Sequence, residues 1–164
     1  MKGQFGMEQL ISLSIFIAFV AYFFFQFLSL RPTYLNEVKN ERLRSEAYQI
    51  SELLVNDPGY PVNWNANPSL TQRAGLSDET ANKTNLLSLA KISAFDSQCA
   101  SNYYKVKKWI GAENDFSIFL TDKSTGALKI GCYNKAIVSQ GINVTVRRIV
   151  AFGPSYGELI LQMW

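Results

Sequence analysis

The sequence predicts an α+β protein: a long N-terminal helix, membrane-spanning in its first half, whose second half packs on a C-terminal antiparallel β-sheet. Three observations predict this class. Leu10–Leu30 is an apolar run without a charged side chain. Tyr34–Val55 repeats apolar residues at helical spacing among charges. The last third of the chain carries short β-type runs separated by turn residues.

At about 1.5 Å of helical rise per residue, Leu10–Leu30 reaches about 31 Å, which matches the ~30 Å hydrocarbon core of a bilayer. A buried core helix is the alternative. Tyr22, Phe23, Phe24 and Phe25 place aromatic rings on every face, however, and a helix apolar all round needs lipid or a very large core. A secretory signal peptide would have an apolar stretch of about 7–15 residues and a small-residue cleavage site after it. Here the run is longer, and Arg31, Pro32, Thr33 and Tyr34 follow it. Pro32 is expected to kink the helix or mark a short break.

From Tyr34 the helical pattern resumes, with Leu35, Val38, Leu43, Ala47, Ile50 and Leu54 near one face. Glu37, Lys39, Glu41, Arg42, Arg44, Glu46 and Glu52 occupy the rest and are read as solvated or in weak i,i+4 contacts. Asn56-Asp57-Pro58-Gly59-Tyr60-Pro61 ends the helix. The polar loop Val62–Pro68 surrounds Trp64, read as a loop anchor in preference to a ligand platform. A short helix is expected over Asn85–Ala94, and Ser97–Ala112 reads equally as helix or irregular strand. Strands follow at Asp115–Thr121, Ala127–Tyr133, Ile142–Phe152 and Glu158–Trp164, in two hairpins turning at Asp122–Gly126 and Gly153–Gly157. The last residue, Trp164, is expected to be packed rather than frayed.

The chain has 164 residues, and roughly 130 remain after the apolar segment, the size of one domain. Its net charge is +3, with the basic residues scattered, which implies neither nucleic acid nor an anionic membrane surface as a partner. Catalysis is not expected. Histidine is absent, and the sequence has no nucleophile elbow, phosphate loop or carboxylate set at metal spacing, so no catalytic residue, metal site or cofactor is assigned. The two cysteines, Cys99 and Cys132, suit a disulfide better than a metal or redox site, with two buried thiols as the alternative. Asn82-Lys83-Thr84 and Asn143-Val144-Thr145 fit the N-glycosylation pattern, which makes Asn82 and Asn143 candidate acceptors, while Pro68 blocks Asn67-Pro68-Ser69. Cysteines and sequons favour an outside location. The basic flank of Arg31, Lys39, Arg42 and Arg44 argues for the reverse topology, since positive charge favours the cytoplasmic side.

The leader Lys2-Gly3-Gln4-Phe5-Gly6-Met7-Glu8, abutting an apolar span, resembles the class III signal peptide of archaeal type IV pilins. A family serine is replaced by Gly6, and a family leucine by Ser12. The phrase Leu53-Leu54 to Pro58-Gly59-Tyr60-Pro61 and Asn63-Trp64, followed by Ala74-Gly75-Leu76, also resembles pilin-like chains. The resemblance implies a pilin-like fold and cleavage between Gly3 and Gln4 by a prepilin peptidase. Residues 1–3 are then the leader, 4–30 the transmembrane and assembly half of the helix, and 31–164 an extracytoplasmic globular domain. Glu8 becomes the fifth mature residue, which in the family meets the N-terminal amine of a neighbouring subunit; a carboxylate in interfacial water is the other reading of Glu8. The implied function is that of a major or minor subunit of a cell-surface filament. Its partners would be copies of itself or related pilins, a pilus assembly platform, and the lipid bilayer before assembly, with no nucleic acid. Two other readings share the span: a single-pass anchored binding domain that does not polymerise, and an archaellin-like motility subunit, whose globular part is usually larger and all β.

Overall fold

The structure, a computed structural model, describes residues 6–80, 83–134 and 144–164, with residues 30–33 described by their backbone alone. Two compact units divide the chain between Lys39 and Asn40. One helix, α1 (Met7–Asn56), contributes to both. It runs through Pro32 without a break, although Pro32 has no N–H to offer the carbonyl of Leu28.

In the second unit α1 buries Leu43, Ala47, Ile50 and Leu54, a stripe at steps of four, three and four residues. The expected stripe also included Leu35 and Val38. These belong to the first unit, where Leu35 is exposed.

After α1 the chain folds back over the helix end. Ser77 N–H donates to the Asp57 carbonyl and Leu76 N–H to that of Leu54. Gly75 fits only as glycine, because a Cβ there would lie 2.0 Å from the Asp57 oxygen. Trp64 is fully buried, donates from Nε1 to the Gly75 carbonyl at 2.9 Å, and meets the Trp109 ring at 6.0 Å between centroids. It therefore anchors the loop.

The region expected to begin a helix at Asn85 instead forms a short strand, β1 (Leu86–Leu87). Asn85 has a φ of +59°, outside the helical region, and its carbonyl accepts a bond from Ala151 N–H. Helix α2 (Leu89–Ser101) starts after Ser88 and buries Ile92, Phe95 and Cys99. Its Lys91 is also buried, with Nζ bonded to the Ser77 carbonyl and the Glu79 carboxylate. Asn102 interrupts the helical path, and its side chain accepts from Lys105 N–H to cap α3 (Tyr103–Trp109). The ambiguous stretch is thus mostly helical.

Strands β2 (Phe116–Asp122), β3 (Leu128–Tyr133), β4 (Val144–Phe152) and β5 (Ser155–Met163) join β1 in a five-stranded sheet of order β1-β4-β5-β2-β3. The sheet is mixed, which corrects the antiparallel expectation: β1 runs parallel to β4, while the other neighbours are antiparallel. The β4–β5 turn is tighter than expected. Phe152 pairs with Ser155, leaving a two-residue loop whose first position, Gly153, has the positive φ (+53°) that type II′ loops need. Gly157 lies inside β5, where a Cβ would clash with the Thr121 carbonyl and the Phe152 ring.

Alternation along the strands buries Phe116, Ile118 and Leu120 of β2, Val146, Val150 and Phe152 of β4, and Leu159, Leu161 and Met163 of β5. With the α1 stripe, Ile92, Phe95, Val106 and Trp109 they form one core cluster. Trp164 N–H donates to the Asp115 carbonyl, so the last residue is held.

Two members of the α1 charged face, read from the sequence as solvated, make tertiary contacts. Glu46 accepts bonds from Glu113 N–H, Asn114 N–H and Asn114 Nδ2 at 2.7, 3.2 and 2.6 Å. Glu52 pairs with Arg148 of β4, whose Nε also bonds the buried Ser51 hydroxyl.

Candidate membrane and assembly segment

The feature with functional content in the first unit is the apolar half of α1. Among the described residues this is the one helix long and apolar enough to cross a membrane, and none of its most apolar window is buried. From Leu10 to Leu28 the exposure of the large side chains runs from 42% at Leu28 to 70% at Phe25, so no face is covered. The rings are spread around the axis, with Phe19 and Phe23 at 4.9 Å and Tyr22 and Phe23 at 5.8 Å between centroids. A continuous apolar surface of this kind is unstable in water and is stable against lipid or other apolar helices.

Several polar side chains on this segment find partners within the helix, as hydrocarbon surroundings require. The Ser14 hydroxyl donates to the Leu10 carbonyl and the Ser29 hydroxyl to the Gln26 carbonyl, both at 2.8 Å. Gln26 Nε2 donates to the Tyr22 hydroxyl at 3.1 Å. This matters because each unsatisfied polar group in lipid costs several kcal/mol.

Glu8 lies in the first turn of α1 and is exposed. A carboxylate there meets the positive end of the helix dipole, a favourable placement of about 0.3–1 kcal/mol. Among the described residues no basic group pairs with it. The cleavage residues Gly3 and Gln4 lie outside the described residues, as do the sequon asparagines Asn82 and Asn143.

In the second unit Cys99 of α2 and Cys132 of β3 form the expected disulfide, with 5.4 Å between their Cα atoms across a sequence separation of 33. It ties a helix to the edge strand of the sheet. Asp122, at the end of β2, is almost wholly buried and accepts from Ser124 N–H, the Ser124 hydroxyl and Thr125 N–H. These bonds, the hydroxyl first, hold its carboxyl below the usual range and shape the β2–β3 turn. Tyr103 goes the other way: burial raises its phenol, which bonds Asp115 and the Phe116 backbone. Both groups are accounted for by the fold. Among the described residues no group of three or more His, Cys, Asp or Glu side chains converges to hold a metal ion.

Sequence reasoning located the apolar segment, Glu8 and the cysteines, and missed the carboxylates that join elements, Glu46 and Asp96. Asp96 accepts from Gly131 N–H at 2.9 Å. Neither stands in a motif, since each gains its partner only when distant parts of the chain meet. No protein-family model, curated protein or solved structure matches this chain.

Proposed function

We propose that this chain is a structural subunit, major or minor, of an archaeal type IV pilus-like surface filament. It is cleaved after Gly3 and assembles through the apolar half of α1. The observation that carries this reading is the make-up of α1: one 50-residue helix, apolar on every face in its first part and burying a single stripe in its second. A simple anchor needs the first property alone. A helix that continues into its domain also gives each subunit a stem by which copies can pack once they leave the bilayer.

In this account the prepilin peptidase exposes the amine of Gln4, and Glu8, five residues into the mature chain, pairs with that amine on a neighbouring copy. Before assembly the same segment spans the membrane with the globular domain outside, where the Cys99–Cys132 bond is at home. The assembly platform and related pilins are the other partners. No residue is assigned to catalysis.

Glu8→Ala and Glu8→Gln, made in the full chain and expressed in the native cell, test the role of the carboxylate. Both variants are expected in the membrane fraction, processed, and at least about tenfold depleted from filaments sheared off the cell, because each loses one charge-assisted pairing of more than 1.4 kcal/mol. Wild-type levels of the variants in filaments would remove the pairing. Absence of the wild-type chain from any filament would instead favour the membrane-anchored domain that does not polymerise.

A further inference from the structure

The two edges of the sheet are finished differently. At the β4 edge, β1 pairs with Ala151 and Phe152, and Arg147 and Arg148 add charge along the strand. At the β3 edge the protection comes from a helix. Ile118 faces Cys132 and Leu120 faces Ile130 across the β2–β3 ladder, with Phe119 opposite Gly131 between them. Gly131 N–H points out of the ladder, since it donates to Asp96 Oδ1 on α2 at 2.9 Å. By strand alternation the N–H of Tyr133 points the same way, whereas the register shift between Leu120 and Thr121 leaves Lys129 as a bulge and ends the regular edge there. Gly131 and Tyr133 carry the donors that an added strand would use.

Asp96 takes the first of these two donors, Gly131 N–H. Three residues further along α2, Cys99 is bonded to Cys132, next to Gly131 on the same strand. Helix and edge strand are therefore joined by a carboxylate bond and a covalent bond one helical turn apart. An incoming strand must displace the carboxylate and swing α2 away, which the disulfide resists. At the two ends of β3, Leu128 and Tyr133 are 59% and 45% exposed and would gain cover from such a strand.

We propose that Asp96 and the Cys99–Cys132 bond together guard the β3 edge against antiparallel pairing with β3 of a second copy. The occupant is a second copy because two antiparallel β3 strands present the same donors and acceptors to each other about a two-fold axis. The inference stands apart from the filament reading, since it concerns a contact that the folded chain avoids.

The test uses the full chain in detergent micelles, with wild type as the reference for any association through α1. Asp96→Ala should raise hydrogen exchange at Gly131 N–H about tenfold, the size expected for one lost hydrogen bond. Asp96→Asn keeps an acceptor and should stay near wild type. Asp96→Ala combined with Cys99→Ala and Cys132→Ala should self-associate more than wild type in sedimentation. Adding Tyr133→Pro, which removes one outward N–H, should reverse that association. Unchanged exchange at Gly131 in Asp96→Ala would overturn the guard, as would association that Tyr133→Pro leaves intact, or a folded triple variant no more associated than wild type. If the triple variant does not fold, Asp96→Ala with its disulfide intact decides by exchange at Gly131.

Discussion

Replacing Glu46 by alanine removes a carboxylate that holds the Glu113–Asn114 loop to α1. Three hydrogen bonds to an ionised acceptor are lost, at 2.7, 3.2 and 2.6 Å. Bonds to a charged group contribute about 1.5–3 kcal/mol each when well shielded, so a simple sum overshoots. Glu113 and its N–H are exposed, and Asn114 is only part-buried, so water recovers much of the loss. A net cost of about 2–3 kcal/mol remains. Glu46→Gln keeps an oxygen for the two backbone N–H groups and gives up the charge and the Asn114 side-chain bond, at a cost of about 1 kcal/mol. Urea unfolding of the full chain in micelles, followed by tryptophan fluorescence, measures both. With a slope of about 2 kcal/mol per molar, the alanine variant should unfold roughly 1 M urea earlier than wild type with the slope unchanged. A midpoint within experimental scatter of wild type, or a glutamine variant as weak as the alanine one, would refute the reasoning.

Two further predictions concern the second unit. Cys99→Ala with Cys132→Ala should lower stability by about 3–4 kcal/mol, the loop-closure value for this separation, read by the same unfolding measurement. Acid should weaken the Lys91–Glu79 pair. The hydrogen bond from Lys91 is the main cause that holds the Glu79 carboxyl below its ordinary value of 4.5. A lowered folded value means that the contribution is present above pH 4.5 and is lost as pH falls through the folded value. Unfolding scans of wild type against Glu79→Gln should diverge above pH 4.5 and converge below it; a constant gap would contradict the assignment.

The parts of the fold that depend on local pattern were legible in the sequence. The apolar run, the Leu43–Leu54 stripe and the two hairpins follow from composition and period. What was not legible depends on contacts between distant residues. Leu86–Leu87 is too short for periodicity to separate strand from helix, and its state is set by pairing with Ala151–Phe152. Gly157 resembles a turn residue until the Phe152 ring and the Thr121 carbonyl are seen to exclude a side chain. Glu46 looks like any charge on an amphipathic helix, because its partners lie at Glu113 and Asn114. In the first half of α1 the apolar character was fully legible, since it needs no partner, and Glu8 was marked by being the lone carboxylate ahead of the run.

The most direct test of the filament account is the intact mass and N-terminal sequence of the protein in filaments sheared from its own cells. The account predicts a mature chain that begins at Gln4 and is enriched in the sheared fraction. A chain that retains Met1-Lys2-Gly3 and stays in the membrane would contradict it.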